Sequence, residues 1–254
     1  MKNILQKAIA ENKIQGITLD FWNTIAMDIH YARRFRARVE TAFSWLNEHG
    51  SPVSFPTIDQ AFRQFSILWM ETWVNSHRTL ASVDCVRFVL KTIDSQLSEN
   101  QAAQLAKTIE EQVLLLPPVL LDYARESIQS LSARYKLALI CDTGLSGPAM
   151  IDHFLKTWEL LPLIKNRVYS LELGVSKPEA AIFQSALDQL ALKPEQVVHI
   201  GDSERTDIVG AKVVGMYTVR LDAIDSDNHS IQSTQADKVV GSWKELIELL
   251  NYGI

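Results

Sequence analysis

The chain has 254 residues, of which 47% are hydrophobic and 22% charged, so it can bury one large core, or one core plus a smaller appended domain. Its formal net charge is −5 and no run of Lys and Arg resembles a footprint on a phosphate backbone, so we expect no nucleic-acid partner. The densest basic cluster is interpreted as the solvated face of a helix. It comprises Arg33, Arg34, Arg36 and Arg38.

The two cysteines, Cys85 and Cys141, have no metal-ligand spacing and fit a reducing cytosol better than a disulfide framework. The N-terminal residues lack the sustained apolar core of a signal peptide. The longest apolar run, residues 113–121, is interrupted by two prolines and is too short to span a bilayer. We therefore expect a soluble, cytoplasmic protein with no membrane partner, of an oligomeric state that these patterns leave open.

The stretch GITLDFWNTI, residues 16–25, begins with an apolar run that contains Ile17 and Leu19 and stops at Asp20. Such a run is typical of a buried parallel strand that brings one acid to the C-terminal edge of a sheet. Open α/β sheets bind their ligands at that edge. Asp20 is therefore the first candidate for chemistry.

From residue 28 to residue 117 the pattern predicts helices throughout. Apolar residues recur every three or four positions in Tyr31–Glu48, and Gly50 is well placed to end this helix. The same spacing predicts three more helices, near residues 62–73, 82–93 and 98–114. Because no strand pattern interrupts them, these residues are predicted to form a small helical bundle with its own core.

After residue 118, short apolar strands alternate with helices. The strands are predicted at residues 137–140, 167–171, 197–200 and 217–221, and the helices at 122–135, 148–158, 179–190 and 205–214. This alternation implies right-handed crossovers and a parallel sheet with helices on both faces. We predict an α/β fold, a doubly wound parallel sheet formed by residues 1–27 and 118–254, with residues 28–117 inserted as a helical domain. The polar residues 222–233 are predicted to form a mobile loop.

Four polar groups follow predicted strands or lie in the loops after them. They are Asp20, the turn of Cys141, Asp142 and Thr143, then Lys177, then Asp202 with Asp207. In a doubly wound sheet these positions are neighbours in space. A carboxylate nucleophile, a hydroxyl or amide donor, a cation and a second pair of carboxylates are the groups that phosphoryl transfer needs, with a hard divalent cation between carboxylates and substrate.

These stretches resemble the four motifs of the haloacid dehalogenase superfamily of hydrolases. LDFWNT resembles the first motif, which implies that Asp20 is the nucleophile and that Thr24 holds the hydroxyl position. LALICDTG resembles the second, whose Ser or Thr binds the transferred group, and GVSKP resembles the third, which gives Lys177. HIGDSERTD resembles the fourth and most specific motif, with Asp202 and Asp207 as the acidic, metal-holding pair.

The resemblance implies a Rossmann-like core and a helical cap domain at residues 28–117. It implies Mg²⁺-dependent hydrolysis of a small phosphorylated substrate through an aspartyl intermediate on Asp20. The residues implied in catalysis are Asp20, Trp22, Thr24, Cys141, Asp142, Thr143 and Lys177; those at the metal are Asp20, Trp22, Asp202 and Asp207. The residues implied in substrate binding are Trp22, Asn23, Thr143, Gly144 and Lys177, to which we add His77 and Arg78 at the end of the second helix, although a solvated face is the favoured interpretation of these two.

Two positions depart from the family pattern. Trp22 stands where the family's phosphatases carry an Asp that acts as general acid and base, and an indole cannot exchange a proton near neutral pH. The family's dehalogenases carry an aromatic residue there, but they lack the acidic fourth motif. Cys141 stands where Ser or Thr is usual, and either Cys141 or Thr143, two residues on, is expected to fill this second-motif role. Cys141 is interpreted as a small buried apolar residue rather than a nucleophile. A carbon–halogen hydrolase and a catalytically weak binding or regulatory protein therefore remain alternatives.

Overall fold

The computed structural model describes residues 4–224 and 233–252. Residues 225–232 of the predicted loop lie outside the described residues. The strands are β1 (Gly16–Leu19), β2 (Ala26–Met27), β3 (Val119–Leu120), β4 (Lys136–Cys141), β5 (Asn166–Tyr169), β6 (Val197–Gly201), β7 (Tyr217–Leu221) and β8 (Lys238–Val240). The helices are α1 (Ile4–Ala10), α2 (Tyr31–Glu48), α3 (Phe55–Ser76), α4 (Ser82–Thr92), α5 (Glu99–Glu110), α6 (Gln112–Leu115), α7 (Ala124–Ser132), α8 (Pro148–Thr157), α9 (Ser170–Leu173), α10 (Ala180–Leu190), α11 (Val209–Val213) and α12 (Trp243–Tyr252).

Six strands form one parallel sheet in the order β5-β4-β1-β6-β7-β8. The strand β1 lies between β4 and β6, so that Gly16 is opposite Lys136 on one side and Val197 on the other. From β1 the strand order runs to β4 and β5 on one side and to β6, β7 and β8 on the other. The C-terminal end of β1 is therefore the switch point, where sheets of this kind bind ligands. The predicted α/β class and doubly wound parallel sheet are confirmed.

The chain divides into two compact units. One, which we call the sheet unit, contains Met1–Asp28, Val119–Asp142 and His153–Ile254; the other, the helical unit, contains Ile29–Pro118 and Thr143–Asp152. In the sheet unit, α10 packs on the sheet through a core that includes Ile182, Phe183, Ala186 and Leu187. Among the described residues, no helix has both the length and the apolar content that crossing a membrane requires.

The helices α2 to α5 form the core of the helical unit. Its buried residues recur at the predicted helical spacings; they include Val39, Leu46, Ile58, Phe62, Phe65, Val89, Leu105 and Ile109. The helix α2 has the predicted bounds, and Gly50 follows it at a φ of 80°, a left-handed conformation that glycine adopts at no steric cost. The amide of Ser51 then donates to the carbonyl of Leu46 at 3.0 Å, which closes the helix.

The basic cluster on α2 is not a solvated face as a whole, and that interpretation is wrong for two of its members. Arg34 and Arg38, one helical turn apart, are only 2% and 6% exposed. Arg34 donates to the carbonyl of Leu116, and Arg38 donates to Ile109 and Leu145. A guanidinium has five donors, so it can be buried where carbonyl oxygens of helix ends and loops need partners.

Three predicted elements differ from the structure. The single helix predicted at residues 98–114 is divided into α5 and α6. Near this break, Arg38 Nε donates to the carbonyl of Ile109 at 3.1 Å. The strand predicted at 167–171 ends at Tyr169, because the chain turns into α9. The helix predicted at 205–214 begins as a π-helical turn, Glu204–Ile208. The sequence patterns did not predict α1, α9, β2, β3, β8 and α12.

Candidate active site

Asp20 follows β1 directly and lies at the C-terminal edge of the sheet. Its amide donates to the carbonyl of Ile200 at 2.9 Å, which extends the pairing with β6 by one residue and fixes the backbone. The residue is buried, only 4% exposed. Its Oδ1 accepts from the Lys177 ammonium at 2.5 Å, and its Oδ2 accepts from the Thr24 hydroxyl at 3.3 Å.

The turn after Asp20 is held by two contacts that the sequence did not indicate. Asn23 has a φ of 58°, which Asn tolerates better than most residues, and its Nδ2 donates to Asp202 Oδ2 at 3.2 Å. Trp243, at the start of α12, is buried and donates from its indole nitrogen to the carbonyl of Thr24 at 2.8 Å. The first motif is therefore oriented by Asp202, which follows β6, and by Trp243 of α12.

Lys177 is the link between two carboxylates. Its side chain is 3% exposed, and its ammonium lies 2.5 Å from Asp20 Oδ1 and 2.7 Å from Asp207 Oδ1. Its amide donates to Asp142 Oδ1 at 3.0 Å, so the acid after β4 holds the backbone of the lysine. Lys177 is thus held both at its backbone amide and at its side-chain ammonium.

Asp202 follows β6, and Asp207 lies in the π-helical turn beyond it. This wide turn lets the amide of Ser203 donate to Asp207 Oδ2 at 3.1 Å. Gly201 permits the close approach, because a Cβ there would overlap the Asp207 side chain. Such π-helical turns are frequent at functional sites.

Oxygens of Asp20, Asp202 and Asp207 lie within 4.8 Å of one another. Together with the ammonium of Lys177, the three carboxylates give a formal charge of −2 when all are ionised. Carboxylate oxygens are ligands that a hard divalent cation prefers, and such an ion would neutralise this charge. The donor set therefore fits Mg²⁺.

Burial and the close charges shift the pKa values of the three carboxylates and of Lys177. Burial, together with Asp207 and Asp202, raises the pKa of Asp20 well above its usual value, although Lys177 opposes the change. Burial and the neighbouring Asp207 raise the pKa of Asp202 to about 6. Burial would raise that of Asp207 too, but Lys177 and His199 outweigh it and hold its pKa below the usual range. Burial disfavours the ammonium of Lys177, yet Asp20 and Asp207 more than compensate, and its pKa is raised.

The metal-free protein is expected to lose thermal stability as the pH rises from about 4 to about 6. The Asp202→Asn variant is expected to lose less stability over the same pH range. Asp202 binds its proton more tightly in the folded chain, where its pKa is about 6, than at the ordinary value of 3.8, so the free energy of unfolding falls as pH rises through this window. Asn does not titrate. Melting curves in a chelator at several pH values measure the difference, and parallel curves for the two proteins would contradict it.

A sequence profile of the haloacid dehalogenase-like hydrolase family matches residues 14–215. This match covers most of the chain and all four motifs. The chain belongs to the haloacid dehalogenase-like hydrolase family. Its family membership and its α/β class agree with what the motifs predicted.

Curated relatives of this hydrolase match it over short segments. A glyceraldehyde 3-phosphate phosphatase of Methanocaldococcus jannaschii is 31% identical over 107 residues, 38% of this chain and 44% of that protein. The protein of the same name from Methanopyrus kandleri is 48% identical over 54 residues, 21% and 23% of the two chains. A ribulose-1,5-bisphosphate 5-phosphatase of Halopiger xanaduensis is 32% identical over 88 residues, 32% and 37%. The matched segments span less than half the length of these relatives.

Solved structures resemble the hydrolase over nearly its whole length. A 2-haloacid dehalogenase from Pseudomonas syringae has a TM-score of 0.70 at 21% identity and covers 95% of this chain and 100% of its own. A phosphatase of the same superfamily from Thermococcus onnurineus has a TM-score of 0.63 at 20% identity, with 93% and 98% covered. At these identities the likeness describes the fold alone.

The remaining predicted site residues fall into both units of the hydrolase. Trp22, half-buried in the sheet unit, meets Phe21 edge to face at 4.9 Å between ring centroids. Cys141 is fully buried, and burial, reinforced by Asp20, raises the pKa of its thiol well above the usual value. This neutral thiol is no nucleophile.

Four of the predicted residues belong to the helical unit. Thr143 is buried, and Gly144 packs against the indole of Trp69, which a Cβ at that glycine would approach to 3.0 Å. His77 ends α3 in a left-handed conformation with a φ of 47°, and the exposed Arg78 follows it. The sheet unit alone thus brings together Asp20, Asn23, Thr24, Asp142, Lys177, Asp202 and Asp207.

Proposed function

We propose that this hydrolase cleaves a small phosphorylated substrate with the help of Mg²⁺, through an aspartyl intermediate on Asp20. The observation that carries the proposal is the buried cluster of three carboxylates around Lys177, with its formal charge of −2. A phosphoryl group is itself anionic and could not approach such a cluster unless a cation neutralised it. The phosphatase names of the curated relatives support the same reaction class.

Asp20 and Asp202 are the residues best suited to hold the metal directly. Asp207 is less available, because its oxygens already accept from Lys177, His199, Ser203 and Thr206. Trp22 could contribute only its backbone carbonyl, since an indole N–H is a donor without a lone pair for a metal. When bound, Mg²⁺ would supply charge neutralisation at the phosphoryl oxygens.

The reaction then depends on groups of the sheet unit. The carboxylate of Asp20 attacks phosphorus, the bond from phosphorus to the leaving oxygen breaks, and the leaving group departs with the electron pair. Water next attacks the acyl phosphate, so that inorganic phosphate is released and Asp20 is regenerated. Lys177 balances the charge on Asp20, and the hydroxyl of Thr24 orients the second oxygen of the nucleophile.

We assign the helical unit the role of the family's cap domain, which selects the substrate. Thr143 is the better candidate for the second-motif donor, because the Cys141 thiol is a weaker donor and already lies 3.7 Å from the carbonyl of Asp142. Gly144, His77 and Arg78 remain proposed substrate contacts. A cytoplasmic location is also proposed, on the two buried free cysteines.

Trp22 favours two other functions. An aromatic residue at this position suits halide departure, which needs no proton, so a carbon–halogen hydrolase is the first alternative. The missing general acid also suits a catalytically weak protein that binds rather than turns over its ligand. The acidic pair of the fourth motif argues for the phosphatase.

A panel of phosphorylated metabolites, assayed for phosphate release with and without Mg²⁺, tests the proposal. The phosphatase requires turnover of at least one phosphate ester or anhydride that depends on the metal. Release of chloride from 2-haloacids without metal would establish the first alternative. Metal binding without turnover of any compound would favour the second.

Magnesium is expected to raise the melting temperature, and Asp202→Asn is expected to abolish most of the increase. A ligand that binds only the native state stabilises it by about 2.7 kcal/mol at 100 times its Kd, which corresponds to roughly 5–10 °C for a chain of this size. Asp188→Asn, a change of an exposed carboxylate on α10, serves as the control and should keep the full increase. A wild-type melting curve that ignores millimolar Mg²⁺ would contradict the site.

A further inference from the structure

A buried histidine stands directly behind the carboxylate that holds Lys177. His199 lies in the middle of β6 and is fully buried. Its Nε2 is 3.1 Å from Asp207 Oδ1, and its Nδ1 is 2.8 Å from the hydroxyl of Thr18 on the neighbouring strand β1. The ring therefore joins the centre of the sheet to the lysine–carboxylate cluster.

We infer that His199 is a positioning residue for the proposed phosphatase reaction. Asp207 requires the Nε2–H tautomer, Thr18 anchors the ring by donating to Nδ1, and the anchored ring in turn fixes Asp207 as the acceptor that aims Lys177 at Asp20. The inference rests on the proposed function for its effect on turnover. The tautomer itself can be tested without any substrate.

The tautomer follows from the partners of the two ring nitrogens. An ionised carboxylate only accepts, so the nitrogen that faces Asp207, Nε2, carries the hydrogen. In the neutral ring Nδ1 then has a lone pair and accepts from the Thr18 hydroxyl. Both ring nitrogens are satisfied without a net charge, as a buried position demands. Phe183 meets the ring edge to face, at 5.1 Å and 87°, and limits its rotation.

The same contact completes the acceptor shell of Asp207. Oδ1 accepts from Lys177 at 2.7 Å and from His199, while Oδ2 accepts from the amide of Ser203 at 3.1 Å and from the Thr206 hydroxyl at 3.5 Å. A carboxylate with its lone pairs engaged has one orientation. Without His199, Oδ1 would lose its second donor, the carboxylate would be free to turn, and the lysine would be held less firmly against Asp20.

Because His199 is a neutral donor, it leaves the formal charge of the carboxylate cluster unchanged. A cation in place of His199 would reduce the formal charge of the cluster from −2 to −1 and weaken its attraction for a divalent metal. An apolar residue would leave Asp207 Oδ1 with one partner fewer. The neutral imidazole orients the carboxylate and leaves the charge unchanged.

The experiment compares kcat and KM for nitrophenyl phosphate in variants of both partners. His199→Leu and the nearly isosteric Thr18→Val are each expected to lower kcat by about 10-fold or more, with KM changed by less than about twofold, as for other residues that orient a site through a neighbour. His199→Gln and Thr18→Ser, which keep a donor at the same place, should restore most of kcat. Val198→Ala, a buried change on the same strand, controls for lost packing and should keep kcat per folded molecule.

A second measurement distinguishes failure of this inference from failure of the proposed function. Imidazole ¹⁵N shifts of the metal-free protein should identify His199 as the Nε2–H tautomer in the wild type and also in Thr18→Val, because the Asp207 carboxylate still accepts only from an N–H. An Nδ1–H or doubly protonated ring in the wild type would overturn the inference even if the enzyme is an active phosphatase. Unchanged kcat in His199→Leu and Thr18→Val, or an equal loss in Val198→Ala, would also overturn it. If no phosphate ester is turned over at all, the proposed function fails and the tautomer alone decides the positioning role.

Discussion

Replacement of Asp20 by Asn is expected to abolish phosphate release, by roughly 10⁴- to 10⁶-fold, as loss of a nucleophile does in enzymes whose catalytic groups act as a unit. The carboxamide cannot form the acyl phosphate. Its shape is nearly unchanged: its oxygen can accept from the ammonium of Lys177, and its NH2 group can donate to the hydroxyl oxygen of Thr24. Kinetics with saturating Mg²⁺ and nitrophenyl phosphate measure the loss, and acid-quenched protein should carry a phosphoryl adduct in the wild type alone.

The same variant is expected to fold at least as well as the wild type when no metal is present. The buried cluster carries a formal charge of −2, and the raised pKa of Asp20 reflects the burial and repulsion that its ionised form suffers. Asn removes one charge, while Lys177 keeps its contact with Asp207. An Asp20→Asn protein that is folded and retains more than about a tenth of the activity would show that another group is the nucleophile.

The part of this site that the sequence predicted is the part encoded within single short segments. An apolar run that ends in Asp20, and another that ends in Gly201 and Asp202, could be assigned to strands of one parallel sheet. Their C-terminal ends then had to meet at one edge, which is where the structure has them. Periodicity was similarly sufficient for α2, whose buried stripe and terminal glycine are local features.

The contacts that orient those residues were out of reach, because their partners are far apart in the chain and carry no shared pattern. Nothing near Thr24 indicates that Trp243 donates to its carbonyl, and nothing near Asp202 indicates Asn23. The burial of Arg34 and Arg38 was missed for the same reason, since their acceptors are carbonyls of distant segments. A buried polar residue is recognisable only once its partner is known.

The presence of Trp22 at the family's general-acid position has its strongest consequence for the leaving group. With Trp22 where the family's phosphatases have a proton donor, the leaving oxygen must depart as an anion. We therefore expect nitrophenyl and acyl phosphates to be hydrolysed about 10²- to 10⁴-fold faster than alkyl phosphates such as sugar phosphates, the range that general acid catalysis usually contributes. The ratio of kcat/KM for the two substrate classes measures this.

Trp22→Asp is expected to narrow that ratio, because a carboxylic acid at this position can protonate an alkoxide. Trp22→Phe is the matched control, since it keeps an aromatic ring against Phe21 and adds no donor, and its ratio should stay wide. The new carboxylate would also add a charge to the cluster, so Trp22→Asp should depend more strongly on Mg²⁺ for stability. A smaller side chain can leave a cavity and lower the overall rate, but a cavity slows both substrate classes and leaves their ratio unchanged.

Two results would contradict this explanation of Trp22. Wild-type enzyme that hydrolyses alkyl phosphates as fast as aryl phosphates has a proton donor elsewhere. A rate whose fall at high pH disappears when His77 or Asp142 is replaced would identify the donor. The indole would then only shape the substrate pocket. In that case Trp22→Asp and Trp22→Phe would alter KM and leave the dependence of the rate on the leaving group unchanged. The reason is that the leaving oxygen would still receive its proton from the other residue.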